Sequence, residues 1–192
     1  MPWRGGRARV IGLIPGQIVT ESLAEEIPAT AGEARADPAR DLAKIAVIER
    51  HLGTGRTGLG FVRGFGLQRG ALASTVAHDA HNIVVVGMSD SAMAFAVRRL
   101  ANLGGGIVVV DGADVLAELP LPVAGLLSDA ALDDVVAGSH AIVAAASELG
   151  CTIEAPFQLL SFLALSVIPS LKITDRGLVD VDRFELVPLE AS

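Results

Sequence analysis

The stretch Gly70–Gly87, GALASTVAHDAHNIVVVG, places two apolar segments on either side of a polar centre. The flanks Gly70–Thr75 and Ile83–Gly87 are bounded by glycine, and their composition is typical of buried strands. The polar centre consists of His78, Asp79, His81 and Asn82. Burying one of these polar side chains without a hydrogen-bond partner costs roughly a few kcal/mol, so they would destabilise an apolar core. We therefore predict two buried strands whose connecting loop belongs to a site or an interface.

Helical signals follow this stretch along the chain. Apolar residues recur at helical spacing from Ser89 to Asn102, Ser89 or Asp90 can cap the first turn, and Gly104 stands where a helix ends. Residues 132–149 predict a second helix, and residues 155–165 predict a short third one.

Further strands are predicted on both sides of this region, whereas the polar residues 21–38 are expected to form a loop or connector. Two strands are expected in residues 9–20, on either side of a Pro15-Gly16 turn, and one in residues 45–50, after a short helical turn capped at Asp37-Pro38. Residues 107–110 are expected to pair with residues 115–119, and the last strands are expected in residues 178–181 and 184–187. This order predicts an α+β (mixed α/β) fold, in which one domain packs a glycine-rich β-sheet against two to three helices.

Composition and charge exclude several classes of function. The 192 residues are enough for one domain with its own core. A net charge of −7 with only two lysines, and no stripe of basic residues, argues against a nucleic-acid partner. No apolar run approaches the ~18–20 residues of a membrane span, so we expect no membrane partner. The single cysteine, Cys151, fits a cytoplasmic protein.

The apolar content allows two interpretations. Hydrophobic residues make up 51% of the chain and charged residues 19%, which is low charge for a globular domain. Either part of the surface is covered by another domain or subunit, or the chain has an efficient alanine-rich core.

Seven glycines lie within residues 53–70, and Gly53, Gly55 and Gly58 match a dinucleotide-binding fingerprint. That fingerprint requires a strand before it and a helix directly after it. Here the strand-like Gly60-Phe61-Val62 follows instead. We therefore favour glycines at turns, bulges and close strand crossings, with nucleotide binding as the weaker alternative.

The polar centre itself is open to three interpretations. His78 and His81, with Asp79, could supply ligands to a metal, although no His-x-His or His-Glu-x-x-His pattern accompanies them. They could instead form a hydrogen-bonded cluster that orients a loop, or contribute to a site completed by other sequence. A second polar group, Glu49-Arg50-His51, ends an apolar segment and adds Glu49 and His51 to the candidates.

Several segments, in collinear order, resemble the C-terminal domain of bacterial and archaeal adenine deaminases. They are residues 11–21, 44–51, 53–55, 58–67, 74–82, 104–111, 119–122, 161–165 and 174–181. The resemblance covers residues 9–189, which leaves residues 1–8 as a divergent N-terminal tail. Leu52, Ala80, Ala155 and Ser166 depart from the residues common in the family.

The resemblance implies a member of the amidohydrolase superfamily of metal-dependent hydrolases. These adenine deaminases hydrolyse adenine to hypoxanthine and ammonia in purine salvage and adenine catabolism. A (β/α)₈ barrel in those proteins binds divalent metal, manganese or iron, and its metal-bound hydroxide attacks the purine. Such a barrel needs about 250 residues, so we expect this chain to lack it and to be inactive alone. We assign no catalytic role and no metal to the residues of this chain.

Two hypotheses follow from the resemblance. In the first, Glu49, His51, His78, Asp79, His81 and Asn82 face the pocket or the interface of a missing or separately encoded barrel that binds adenine. In the second, the chain is a non-catalytic oligomerisation or binding module that assembles with such a barrel. A homo-oligomer is expected in either case.

Overall fold

The computed structural model describes residues 1–191 and centres on an eight-stranded sheet. Its strands are β1 (Arg7–Leu13), β2 (Thr20–Glu26), β5 (Leu42–Ile48), β6 (Thr57–Arg63), β7 (Ala71–Ser74), β8 (Ile83–Gly87), β9 (Gly106–Asp111) and β10 (Asp114–Pro120). Their spatial order is β10-β9-β7-β8-β5-β6-β1-β2, and of the neighbouring pairs in this part of the described chain, β1–β6 is parallel and the others are antiparallel.

Two smaller sheets and three helices complete the structure. β3 (Ala29–Thr30) pairs with β4 (Glu33–Ala34), and β11 (Leu171–Thr174), β12 (Gly177–Asp180) and β13 (Glu185–Val187) form a three-stranded sheet. The helices are α1 (Asp90–Leu103), α2 (Leu132–Glu148) and α3 (Pro156–Leu163). The predicted α+β fold of one small domain is confirmed.

Both faces of the large sheet are covered because side chains along its central strands alternate between two cores. Ile83 and Val85 of β8 pack with buried residues of α1, whereas Val84 and Val86 pack with buried residues of α2, α3 and the three-stranded sheet. Burial on both faces explains why β8 is a continuous apolar run, as the sequence predicts.

The first predicted helix is confirmed, and both of its ends lie one residue later than expected. The Ser89 hydroxyl accepts a hydrogen bond from the Ala92 N–H at 3.2 Å, and Gly104 ends the helix with a φ of 76°. A glycine takes this left-handed conformation without the steric cost of a Cβ.

Two expectations for the N-terminal half need correction. Residues 21–26 belong to strand β2 and are not a connector; β2 lies at the sheet edge, where charged side chains remain in water. The helical turn capped by Asp37 is a single 3-10 turn, Pro38–Arg40. Asp41, with φ of 52°, ends that turn, so β5 begins at Leu42, earlier than the predicted residue 45.

The N-terminal residues assigned to a divergent tail are packed against the domain. Trp3 is buried, and its indole N–H donates to the Ile27 carbonyl at 2.7 Å. Strand β1 begins at Arg7. The division of the chain at residue 9 stays a prediction.

No helix within residues 1–191 combines the length and the apolar character needed to span a membrane.

One end of the large sheet collects the polar segments. β5 ends where β6 begins, with Ile48 opposite Thr57, and β7 ends where β8 begins, with Ser74 opposite Val84. Because Ile48 also lies opposite Ile83, both connections leave the sheet at the same end. We call this the polar end.

Candidate functional site

Three connections form the polar end. They are the histidine loop (residues 76–82, between β7 and β8), the β5–β6 turn (49–56) and the β11–β12 turn (174–177). All six candidates predicted from the sequence lie in the first two of these connections, Glu49, His51, His78, Asp79, His81 and Asn82. The structure therefore brings the candidates together, while their roles remain predictions.

The histidine loop is a compact turn closed by His81. The His81 backbone N–H donates to the Ala77 carbonyl at 2.7 Å, and the Ala77 N–H donates to His81 Nδ1 at 3.2 Å. The rings of His78 and His81 lie with their centroids 6.1 Å apart, and His78 also packs on Phe162 of α3 at 4.9 Å. The turn thus brings both histidines onto one side, which a continuous strand would not do.

The hydrogen bond to Nδ1 fixes the protonation of His81. An imidazole nitrogen that accepts a bond carries no proton, so in the neutral ring the proton lies on Nε2. Burial lowers the pKa of His81 below its ordinary value of 6.5, with a further contribution from neighbouring His78 and Arg50. His81 therefore presents Nε2–H as a hydrogen-bond donor at neutral pH.

We expect ¹⁵N NMR of the histidine side chains to show His81 as the neutral Nε2–H form at pH 7. Because its pKa is lowered in the folded state, its titration midpoint should lie below 6.5. A neutral form with the proton on Nδ1, or a midpoint above 6.5, would contradict the assigned hydrogen bond.

The carboxylate of Glu49 organises the β5–β6 turn. Its Oε1 accepts the backbone N–H groups of His51 at 2.5 Å and Leu52 at 2.7 Å. Its Oε2 accepts the N–H of Thr54 at 2.9 Å and the Thr54 hydroxyl at 2.8 Å. These donors, first the Thr54 N–H and then that of Leu52, lower the pKa of Glu49 to about 2. Both oxygens are thereby committed to the turn.

This arrangement predicts a dependence of stability on pH. The pKa of Glu49 is lower in the folded than in the unfolded protein. The carboxylate therefore stabilises the fold fully at pH values above its unfolded pKa, ~4.5, and this stabilisation is lost as the pH falls towards 2. Glu49→Gln puts an NH₂ group where an acceptor is needed. We expect this variant to have a lower thermal unfolding midpoint than wild type at pH 7. The difference between the two midpoints should shrink as the pH falls from 4.5 to 2. A constant difference across this range would contradict the account.

Arg50 and His51 connect the β5–β6 turn to neighbouring loops. The Arg50 guanidinium donates through Nε to the His81 carbonyl at 2.6 Å and through an NH₂ group to the Ala124 carbonyl at 2.7 Å. His51 Nε2 lies 2.7 Å from the Ala80 carbonyl. Both residues therefore bind the backbone of the histidine loop and fix its position.

Asn82 connects the loop to the β11–β12 turn. Its amide donates to Asp175 Oδ1 at 3.4 Å, and its carbonyl oxygen accepts the Arg50 N–H at 3.4 Å. Arg56 Nε pairs with Asp175 Oδ2 at 2.8 Å. Sequence reasoning did not select Arg50, Arg56 or Asp175 as site residues. Asp175 stands 93 positions from Asn82, and no local spacing signals that contact.

A small cavity of about 200 Å³ lies beside the histidine loop. Asp79, Asn82 and Asp175 supply its polar groups, together with Ser166 and Thr174. Its remaining walls are apolar and come from β5, the loop and the segment after α3, Val47, Ala77, Ala80, Ala164, Leu165 and Val167. The cavity offers mainly hydrogen-bond acceptors.

These residues do not fit the divalent metal that the family resemblance implies. Among residues 1–191, no three His, Cys, Asp or Glu side chains converge to hold an ion. Glu49 is already engaged by four donors, and His81 Nδ1 accepts the Ala77 N–H. The interpretation of His78, Asp79 and His81 as a self-contained metal site is not supported.

The glycine-rich segment also lacks the context of a dinucleotide site. Gly53 and Gly55 lie in the exposed β5–β6 turn, and Gly58 lies within strand β6 with no helix directly after it. A Cβ on Gly58 would stand 1.9 Å from the Thr174 carbonyl oxygen. Glycine is therefore needed here for a close crossing of two backbones, as favoured from the sequence.

Comparison with known proteins identifies the family. The family model described as the adenine deaminase C-terminal domain matches residues 17–185. The chain is similar to an adenine deaminase of Oleidesulfovibrio alaskensis, with 55% identity over 96% of this chain and 32% of that protein. An adenine deaminase of Cereibacter sphaeroides is 56% identical over 96% of this chain and 33% of its own length.

A relative in the archaeon Methanothrix thermoacetophila, an adenine deaminase, is 52% identical over 98% of this chain and 33% of its own length. The chain thus spans about a third of the length of the relatives it matches. The family model and these relatives each match most of this chain. The chain belongs to the adenine deaminase C-terminal domain family.

Proposed function

We propose that this chain is the C-terminal part of an adenine deaminase and that its polar end docks on the catalytic part of that enzyme. The observation that carries the proposal is the convergence of the histidine loop with the β5–β6 and β11–β12 turns at one end of the sheet. Hydrogen bonds between the three connections hold them in a fixed arrangement. A surface of this kind is suited to shape a neighbouring pocket and to exclude water from it.

Exposed apolar side chains surround these polar groups. Leu52 in the β5–β6 turn is 79% exposed, and Val167 beside the small cavity is 63% exposed. Val123 and Leu127 flank Ala124, whose carbonyl binds Arg50, and are exposed as well. Apolar residues around a set of organised polar groups are typical of a surface that a partner covers.

The proposal includes the reaction of the complete enzyme. We infer that it hydrolyses adenine to hypoxanthine and ammonia, that it serves purine salvage in the cytoplasm, and that it is a homo-oligomer. The ligands of its divalent metal would come from sequence outside residues 1–191, because the described donors do not fit one. The residues of this chain would position and enclose the substrate.

Mixing this chain with the other two thirds of the Oleidesulfovibrio alaskensis relative tests the proposal. We expect the chain to bind that part in sedimentation experiments and to raise its release of ammonia from adenine. Leu52→Asp should weaken the binding at least tenfold, because a carboxylate would be desolvated at the interface. Phe184, also 79% exposed, lies at the opposite end of β12 from Asp175. Phe184→Asp is therefore the matched control and should bind as wild type does.

Two results would contradict the proposal. One is a wild-type chain that neither binds the catalytic part nor changes its activity. The other is an equal loss of binding in Leu52→Asp and Phe184→Asp. Self-association of the chain that Leu52→Asp abolishes, without binding to the catalytic part, would support the oligomerisation module instead.

A further inference from the structure

A second and larger cavity, a cleft of about 490 Å³, lies between the β1–β2 turn and the start of α3. One wall is formed by residues 13–18 of the turn, and the other by residues 152–155, 158 and 159 with Phe162. This volume lies within the ~300–1,000 Å³ of small-molecule sites. None of the roles proposed above uses the cleft.

Hydrogen bonds to strand β11 and to the segment just before it fix the wall formed by the β1–β2 turn. The buried ammonium of Lys172 donates to the Ile18 carbonyl at 2.8 Å. Thr20 adds a backbone bond to the Pro169 carbonyl at 3.0 Å and a hydroxyl bond to the Leu171 carbonyl at 2.8 Å. The opposite wall begins at Thr152, whose N–H donates to the Phe65 carbonyl at 3.1 Å. Both walls are therefore formed before a ligand arrives.

The lining restricts the chemistry of a ligand. Leu13, Ile14, Ile153, Leu159 and Phe162 supply apolar surface, including one aromatic ring. The polar side chains are those of Gln17, Thr152, Glu154 and Gln158. Within residues 1–191, no Lys, Arg or His lines the cleft, so a phosphate would find no countercharge there. The lining thus disfavours a nucleotide.

A neutral heterocycle fits these groups. A glutamine amide can donate and accept at once, and in this way it matches the donor–acceptor edge of adenine. An aromatic ring can stack on a base, and apolar walls compensate for the loss of water around it. Two glutamine amides and Phe162 are present in a single cleft.

We propose that this cleft binds a neutral purine base, adenine or the product of its deamination. The choice of base rests on the proposed function, whereas the preference for a neutral heterocycle rests on the lining. Phe162 connects the cleft to the polar end, because its ring contacts His78 at 4.9 Å between centroids. A base that contacts Phe162 in the cleft would therefore touch the ring that packs on the histidine loop.

Isothermal titration calorimetry of the purified chain with adenine, hypoxanthine and AMP tests this proposal. We expect saturable binding of adenine or hypoxanthine and at least tenfold weaker binding of AMP. Gln158→Leu and Phe162→Leu should each lower the affinity for the base at least tenfold. Gln68→Leu and Phe184→Leu change an exposed amide and an exposed ring outside the cleft, and they should leave the affinity for the base unchanged.

NMR of the same proteins, with the base at a concentration that saturates each of them, gives a second readout. The ring signals of His78 should shift when the base binds to wild type, and this shift should be absent in Phe162→Leu. The proposal is overturned if neither base binds at millimolar concentration, if AMP binds as tightly as adenine, or if Gln68→Leu weakens binding as much as Gln158→Leu does. These experiments need only this chain. Their outcome for purine binding is therefore independent of whether the chain docks on the catalytic part.

Discussion

Gly58→Ala is expected to destabilise the domain by about 3 kcal/mol, near the upper end of the range for overpacked sites. The added Cβ would lie 1.9 Å from the Thr174 carbonyl oxygen and 2.9 Å from the Gly177 nitrogen. Both neighbours are backbone atoms, so no side-chain rotation can relieve the clash. The β11–β12 turn must therefore move away from β6.

Gly60→Ala is the matched control for this prediction. Gly60 lies two residues further along β6, and a Cβ there would meet the methyl groups of Leu178, Ile173 and Ile45 at 3.1–3.4 Å. Such side-chain ends can shift by a few tenths of an ångström, so we expect a cost of about 1 kcal/mol or less. Urea denaturation of both variants measures the difference. Equal stability of the two variants would show that strand β6 and the β11–β12 turn do not pack closely at Gly58.

Displacement of the β11–β12 turn also affects the polar end. Asp175 lies in this turn and binds Asn82 and Arg56. In Gly58→Ala we therefore expect altered NMR signals in the histidine loop, even in the fraction that is folded. Gly60→Ala should leave these signals in place.

Local signals predicted the central part of the fold correctly. The apolar runs that became β7 and β8, the Ser89 cap and the Gly104 ending of α1 depend on neighbours within a few residues. The strand predicted after the Pro15-Gly16 turn was placed too early, since it was expected to end at residue 20, where β2 begins; the residues of β2 are mostly polar and exposed, and their pairing with β1 is not visible in their own composition. The early start of β5 depends on pairing of Leu42 with Arg63, again a distant residue.

The candidate site shows the same division between local and distant contacts. Polar residues within apolar sequence were enough to select the histidine loop, together with Glu49 and His51 at the end of an apolar segment. The contact of Asn82 with Asp175 and that of Arg50 with Ala124 join residues far apart in sequence. Glu49 lies at the end of strand β5, and the structure shows both of its carboxylate oxygens engaged by its own turn, while its role in a site stays a prediction.

The second large effect concerns His78 and His81 in a complete enzyme. We consider the Oleidesulfovibrio alaskensis adenine deaminase with its matching segment replaced by this chain. Alanine at both positions removes the Nε2–H donor of His81, the His78 ring that packs on Phe162, and the side-chain bond from the Ala77 N–H to His81 Nδ1, one of the two bonds that close the histidine loop. A loop displaced by about 1 Å beside a reacting substrate can cost on the order of 100-fold in rate. We expect a loss of this size in kcat/KM for adenine.

The matched control is His140→Ala, because His140 is exposed on α2 and lies outside the three connections of the polar end. Circular dichroism and thermal unfolding would verify that each replaced enzyme is folded. The decisive measurement is kcat/KM for adenine deamination in the double variant, relative to His140→Ala. We predict about a 100-fold lower value in the double variant. Equal values in two folded enzymes would contradict the claim that the polar end of this domain serves the catalytic part.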